Sequence, residues 1–125
     1  MSSVVIPMAT ARAFADEWVA AWNSHDLERI LAHYSDDFEM SSPVIIERMK
    51  EPSGVLRGKA AIRAYWGPAL GMEPRIRFEL LGVYAGVRSI VIHYRSVGRR
   101  LVTEVLTLDD SGRVIRGAAC YGEPC

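Results

Sequence analysis

The chain has 125 residues, 50% of them hydrophobic and 24% charged, the composition of one globular domain with room for a buried core. Fifteen basic residues balance fifteen acidic ones, so no basic excess points to nucleic acid or an anionic membrane surface. No apolar run approaches the length of a membrane span, and the opening "MSSVVIPMA" has neither the basic segment nor the long apolar stretch of a secretory signal, so the expected compartment is the cytoplasm.

A single domain is expected over 1–125, with residues 1–8 a flexible tail. Residues 9–23, "ATARAFADEWVAAWN", carry Ala11, Phe14, Trp18 and Trp22 at three- and four-residue spacing, which predicts an amphipathic helix with Thr10 as its N-cap. "DLERILAHY" predicts a short second helix, with Asp26 favourable at its start and Leu27, Ile30, Leu31 and Tyr34 on its apolar face. "DDFEMSSPV" reads as a turn and a strand that Pro43 ends or kinks. In "IIERMKEPSGVLRG" the turn signal Pro52-Ser53-Gly54 suggests a loose hairpin. "KAAIRAYWGPAL" predicts a third helix, stopped or bent at Gly67-Pro68.

The last fifty residues change character. "RIRFELLGVY", "RSIVIHYRSV", "RLVTEVLTL" and "RVIRGAACY" are strand-like and separated by turn residues. Helices first and consecutive antiparallel strands afterwards make an α+β domain, with three N-terminal helices packed on one face of a curved antiparallel sheet. Alternation puts Val102, Glu104, Leu106 and Leu108 on one face of their strand, and Glu104 is the one acid in that greasy row. The same parity turns Ile90, Ile92 and Tyr94 inward, and Gly117, Ala119 and Tyr121 likewise.

No metal site is expected. His25, His33 and His93 form no ligand pattern, and Cys120 and Cys125 match no zinc spacing. A disulfide between those cysteines is not expected in a reducing compartment. No phosphate-binding loop, nucleophile elbow or dinucleotide fingerprint is present, so no cofactor is expected.

The segments "WVAAWNSHDLERILAHYSDDFEMSSP", "LRGKAAIRAYW" and "LDDSGRVIRGAACYGE" together resemble the nuclear transport factor 2-like superfamily, and within it the SnoaL-like and ketosteroid-isomerase-like bacterial members. The resemblance runs from about Ala13 to Glu123. It rests on the aromatic first helix, "N-x-x-D-L" into the second, "D-D" before the first strand, "G-x-x-A-I" opening a helix, and "D-x-x-G-R-V" between the last two strands. It implies a cone, also called cystatin-like, in which a bent sheet wraps the helices around an apolar pocket, and dimers formed through the convex sheet face. Ketosteroid isomerases place an aspartate base, a tyrosine and a protonated aspartic acid in that pocket. Aligned on the flanking patterns, the protonated acid falls on Glu104, the tyrosine on Trp18, and the base, which precedes a proline, on Ser42. Serine is no base near pH 7, so ketosteroid isomerase activity itself is not expected.

Within that cone, Trp18, Tyr34, Tyr65, Trp66, Ile92, Tyr94, Leu106, Ala119 and Tyr121 are the expected pocket wall, with Trp22 assigned to the core. Glu104 is the candidate acid/base, since an apolar setting raises a carboxyl pKa. The competing reading is an ion pair with an arginine across the sheet. Ser42 is a candidate hydrogen-bond donor, against an ordinary turn residue before Pro43. The expected function is a cofactor-independent isomerase, cyclase or hydratase of a small hydrophobic carbonyl compound, or else a non-catalytic ligand-binding or dimeric interaction domain. The expected partners are a small hydrophobic molecule and a second copy of the chain.

Overall fold

The structure is a computed structural model and describes residues 4–123. Helix α1 runs Met8–Ser24 and α2 runs Leu27–Leu31. Strand β1, Tyr34–Ser41, is followed by α3, Pro43–Met49, β2, Val55–Arg57, and α4, Lys59–Leu70. Four longer strands and one turn of tight helix follow: β3 Glu79–Gly86, β4 Ser89–Ser96, the turn Val97–Arg99, β5 Arg100–Leu108 and β6 Val114–Tyr121.

The α+β cone is present, with two corrections. There are four helices, not three. Residues 45–58 are not a loose hairpin: α3 runs through Met49 and β2 pairs antiparallel with β1. Pro43 carries the reason. It sits at the first turn of α3, where its missing N–H breaks no helical bond, and Ser42 caps the helix by accepting the Val44 N–H at 3.1 Å. The second correction is that the sheet is not wholly antiparallel. Its order is β2-β1-β6-β5-β4-β3, and β1 lies parallel to β6. A contact between the first and last strands is set by global closure of the fold, which local pattern does not report.

Smaller differences have local causes. Pro7, not Thr10, is the N-cap residue of α1. Tyr34 opens β1 rather than closing α2. Of the expected flexible tail, residues 4–6 lie along the β3–β4 turn: Val5 bridges Val87 and the Ile6 N–H donates to the Gly86 carbonyl at 3.0 Å. Cys125, and with it any pairing to Cys120, lies outside the described residues.

Curvature comes from register shifts in β1, in β3 between Leu80 and Gly82, and near Thr107–Leu108; such irregularities bend a strand and increase its twist. Gly117 permits a close approach inside the bend, since a Cβ there would meet the Met40 sulfur at 2.9 Å. The concave face is then filled by rings. Trp18 stacks on Phe78, Phe78 meets Tyr94 at 4.3 Å between ring centres, Trp22 meets Trp66 edge-on at 4.9 Å, and Tyr34 packs on Phe38 at 4.4 Å. Such pairs contribute about 0.5–1.5 kcal/mol each beyond their burial. With the contacts of Trp18 to Trp22 and Tyr94 and of Tyr34 to Trp66, they make one continuous aromatic cluster.

Candidate functional site

Beside these rings lies a cavity of about 350 Å3, within the usual range for small-molecule sites. α3 contributes Val44, Glu47 and Arg48. α4 contributes Tyr65, Trp66 and Ala69, and the loop after it Met72, Glu73, Pro74, Ile76 and Phe78. Trp22 of α1 and Met40 with Ser42 at the end of β1 lie opposite the sheet residues Tyr94, Ser96, Val102, Glu104, Ala119 and Tyr121. Val97 and Arg100 stand with Met72 and Glu73 at the exposed rim.

Both candidate catalytic residues lie on this wall. Setting aromatic residues aside, Ser42 and Glu104 are the buried polar or charged residues among those described, at 5% and 4% exposure. Their burial follows from strand geometry. Glu104 is paired with Ile92 on β4 and Ala119 on β6, and the next inward row is Tyr94, Val102 and Tyr121. Glu104 therefore sits where the cavity meets the dry core.

The ion-pair reading of Glu104 does not hold. No salt bridge among the described residues engages it, and its buried Oε2 has no hydrogen-bond partner in the protein. Burial alone pushes its carboxyl up to about 8, because the charged form loses water and gains nothing in return. At neutral pH the group is mainly a carboxylic acid, able to donate. Around it stand four phenols that burial holds protonated: Tyr34, Tyr65, Tyr94 and Tyr121 all have raised pKa values, Tyr65 to about 12, and charge on Glu104 adds to each shift. Ser42 lies near enough to the phenols of Tyr65 and Tyr121 to work against the rise of both pKa values, and all three residues line the cavity.

The cavity takes in some of the residues expected on its wall and leaves out others. Tyr65, Trp66, Tyr94, Ala119 and Tyr121 line the cavity. Trp18, Tyr34, Ile92 and Leu106 do not. Ile92 and Leu106 are fully buried and belong to the hydrophobic core. The Trp18 indole N–H donates to the Tyr34 hydroxyl at 3.0 Å, so the two satisfy each other inside the core. The roles of Trp18 and Trp22 are thus exchanged. Trp22, one turn further along α1, lines the cavity, and its buried Nε1–H has no partner in the protein. A four-residue step turns a helix by only about 40°, so both tryptophans share one stripe and sequence spacing cannot separate them. Of the other lining residues that the sequence reading left out, Met72, Glu73 and Pro74 come from a segment with no periodic signal, whereas Ile76 and Phe78 alternate with Leu80 in "RIRFELLGVY" and so share one face of that run. Among the described residues no cluster of His, Cys, Asp and Glu has metal-ligand geometry, and no helix is long and apolar enough to cross a membrane.

Residues 15–121 match the model of the SnoaL-like domain. The chain belongs to that family. A SnoaL-like protein of unknown function from Burkholderia thailandensis is 48% identical, superposes with a TM-score of 0.92, and is covered over 99% of its length by 95% of this chain. A putative ketosteroid isomerase from Kribbella flavida is 17% identical with a TM-score of 0.70, the match covering 90% of this chain and 78% of that one. SalBIII, an epoxide hydrolase/cyclase-like enzyme in pyran ring formation in the polyether salinomycin, is 19% identical with a TM-score of 0.68 and 92% of each chain covered. The last two establish the shared fold, which is nuclear transport factor 2-like and cystatin-like. No curated protein matches the chain. The family match names no reaction for this chain.

Proposed function

We propose that the protein is a cofactor-independent isomerase, cyclase or hydratase acting on a small hydrophobic carbonyl compound, with Glu104 as the proton-transferring group. The observation that carries this is a buried carboxyl with no protein partner on the wall of a ligand-sized cavity. An unsatisfied buried polar atom costs about 1–3 kcal/mol, and a fold keeps such a group where it has work to do. A second orphan, the Trp22 N–H, belongs to another residue of the same wall.

A pKa near 8 suits proton transfer near neutrality. In its ionised fraction Glu104 takes a proton from the carbon beside the carbonyl. The electron pair moves onto the carbonyl oxygen, where the hydroxyls of Ser42, Tyr65 and Tyr121 donate hydrogen bonds. Glu104, now protonated, returns the proton to another carbon of the enolate, and no net charge or atom is gained. The test is proton–deuterium exchange in heavy water, followed by NMR over a panel of small aliphatic and aromatic ketones. The wild type is expected to exchange the α-protons of at least one class, and Glu104→Gln to lose about 10²–10⁴-fold of that rate. Equal exchange by both proteins ends the role of Glu104. Binding without exchange leaves the second reading, a non-catalytic ligand-binding domain, which Ser42 at the place of the family base favours.

The proposed protein partner is a second copy of the chain. Tyr84, Val91, Val105 and Ala118 form one row across β3, β4, β5 and β6 on the convex face, and Tyr84 and Val105 are exposed, an apolar surface of the kind that marks association. Sedimentation equilibrium at micromolar concentration is expected to give a dimer, and Val105→Glu a monomer. A wild-type monomer removes the claim.

A further inference from the structure

Two arginines stand at the rim of the cavity with no carboxylate to hold them. Arg48 is in the last turn of α3 and Arg100 at the start of β5, and both line the opening. Arg29, Arg57, Arg63, Arg88, Arg95 and Arg116 each meet a glutamate or aspartate; neither Arg48 nor Arg100 has an ion pair among the described residues. The two elements bring them to the same wall residue. The Arg100 guanidinium carbon lies 4.2 Å from the centre of the Tyr121 ring, a stacking that occupies its face and leaves its N–H edge free. Arg48 acts on Tyr121 as well, and on Tyr65 beside it.

We infer that the cavity mouth is an anion site, and that the ligand carries a carboxylate held between Arg48 and Arg100 while its apolar body runs inward. The inference rests on the ligand-cavity reading above and adds the substrate class: an amphipathic keto acid or related acid, not a neutral hydrocarbon or steroid. The body of such a molecule meets Trp22, Trp66, Phe78 and Tyr94, and its inner polar end reaches Ser42 and Glu104. Guanidinium and carboxylate match as planar forks, which gives orientation as well as attraction. Glu47 and Glu73 also line the opening. Neither has an ion pair with Arg48 or Arg100 among the described residues, and two acids near two arginines favour a singly charged group over a phosphate dianion. Glu104, at the inner end, is mainly uncharged at neutral pH and does not oppose the anion.

The test uses an isosteric pair, 2-naphthylacetate and 2-(2-naphthyl)ethanol, with binding read by quenching of tryptophan fluorescence, since Trp22 and Trp66 are in the wall. At pH 7 and low salt the acid is expected to bind about tenfold tighter than the alcohol, and 0.5 M salt to shrink that gap. Arg48→Gln and Arg100→Gln should each weaken the acid about five- to tenfold and leave the alcohol within about twofold, while Arg100→Lys keeps part of the difference. Arg88→Gln, on the remote β3–β4 turn, should change neither. Melting curves confirm that each variant is folded. Equal affinity for acid and alcohol, unmoved by either substitution, overturns the anion site and leaves the ligand cavity standing. Failure of both compounds to bind overturns the anion site and the ligand-cavity reading together.

Discussion

Glu104→Gln is expected to melt roughly 10 °C above the wild type at pH 8 and close to it at pH 5, a reversal of what loss of a buried charge partner would give. The folded carboxyl has a pKa of about 8 against an ordinary 4.5, with burial as the cause. Folding therefore favours the protonated acid. Its stability is fully present below the unfolded value, is lost progressively as pH rises from about 4.5 toward the folded value of about 8, and does not fall further above it. A tenfold difference in proton affinity between the folded and unfolded chain is worth about 1.4 kcal/mol, so the wild type gives up roughly 3 kcal/mol between pH 5 and pH 8. Glutamine has the same length, keeps a donor and an acceptor, and does not ionise. The melting temperatures of the two proteins at pH 5, 6.5 and 8 give the comparison directly, since both share every other titrating group. The hydrogen-bonded carboxylates Glu17, Glu51 and Asp109, whose pKa values are lowered, lose their contribution in acid, outside this window, and cancel in the difference. A variant that melts well below the wild type at pH 8 would mean that Glu104 has a cationic partner and is structural.

The sheet side of the site was legible because strand parity is local. Alternation in "RLVTEVLTL" and "RVIRGAACY" turns Glu104, Ala119 and Tyr121 to one face with no knowledge of the rest of the chain, and all three line the cavity. The helical side was less so. Trp18 and Trp22 differ by one turn of α1, and only tertiary packing decides that one is core and the other wall. Ile92 and Leu106 have the right parity but are fully buried in the core, and depth is set by long-range packing that strand alternation does not report. Pro43 had two local meanings, strand terminator and first residue of a helix. The serine before it, with a side chain that can accept the Val44 N–H, was the signal for the second. Reading Pro43 as a terminator hid α3, and with α3 the rim residue Arg48. The parallel pairing of β1 with β6 joins residues some eighty positions apart, beyond any window of periodicity.

Position 42 offers the larger effect on catalysis. With a β,γ-unsaturated ketosteroid the wild type is expected to turn over marginally or not at all, and Ser42→Asp to gain at least about a hundredfold, the lower end of what a placed general base contributes. The scaffold is suited to the change. Ser42 caps α3 through its side chain, and aspartate caps a helix N-terminus as well as serine does. The phenols of Tyr65 and Tyr121, which line the cavity with Ser42, can donate to a carboxylate there. Burial and the nearby Glu104 would raise the new group above the ordinary aspartate value, toward the range of a working base. Glu104, protonated at pH 7, would supply the hydrogen bond to the developing enolate oxygen. The double variant Ser42→Asp/Glu104→Gln separates these roles: it should keep the base but lose much of the gain, because an amide donates more weakly than a carboxylic acid. Efficient turnover by the wild type would show that a residue other than Ser42 serves as base. A folded Ser42→Asp protein with no gain would show that Ser42 and Glu104 do not face a common carbonyl, and would leave the acid-base proposal to stand or fall on the exchange measurement alone.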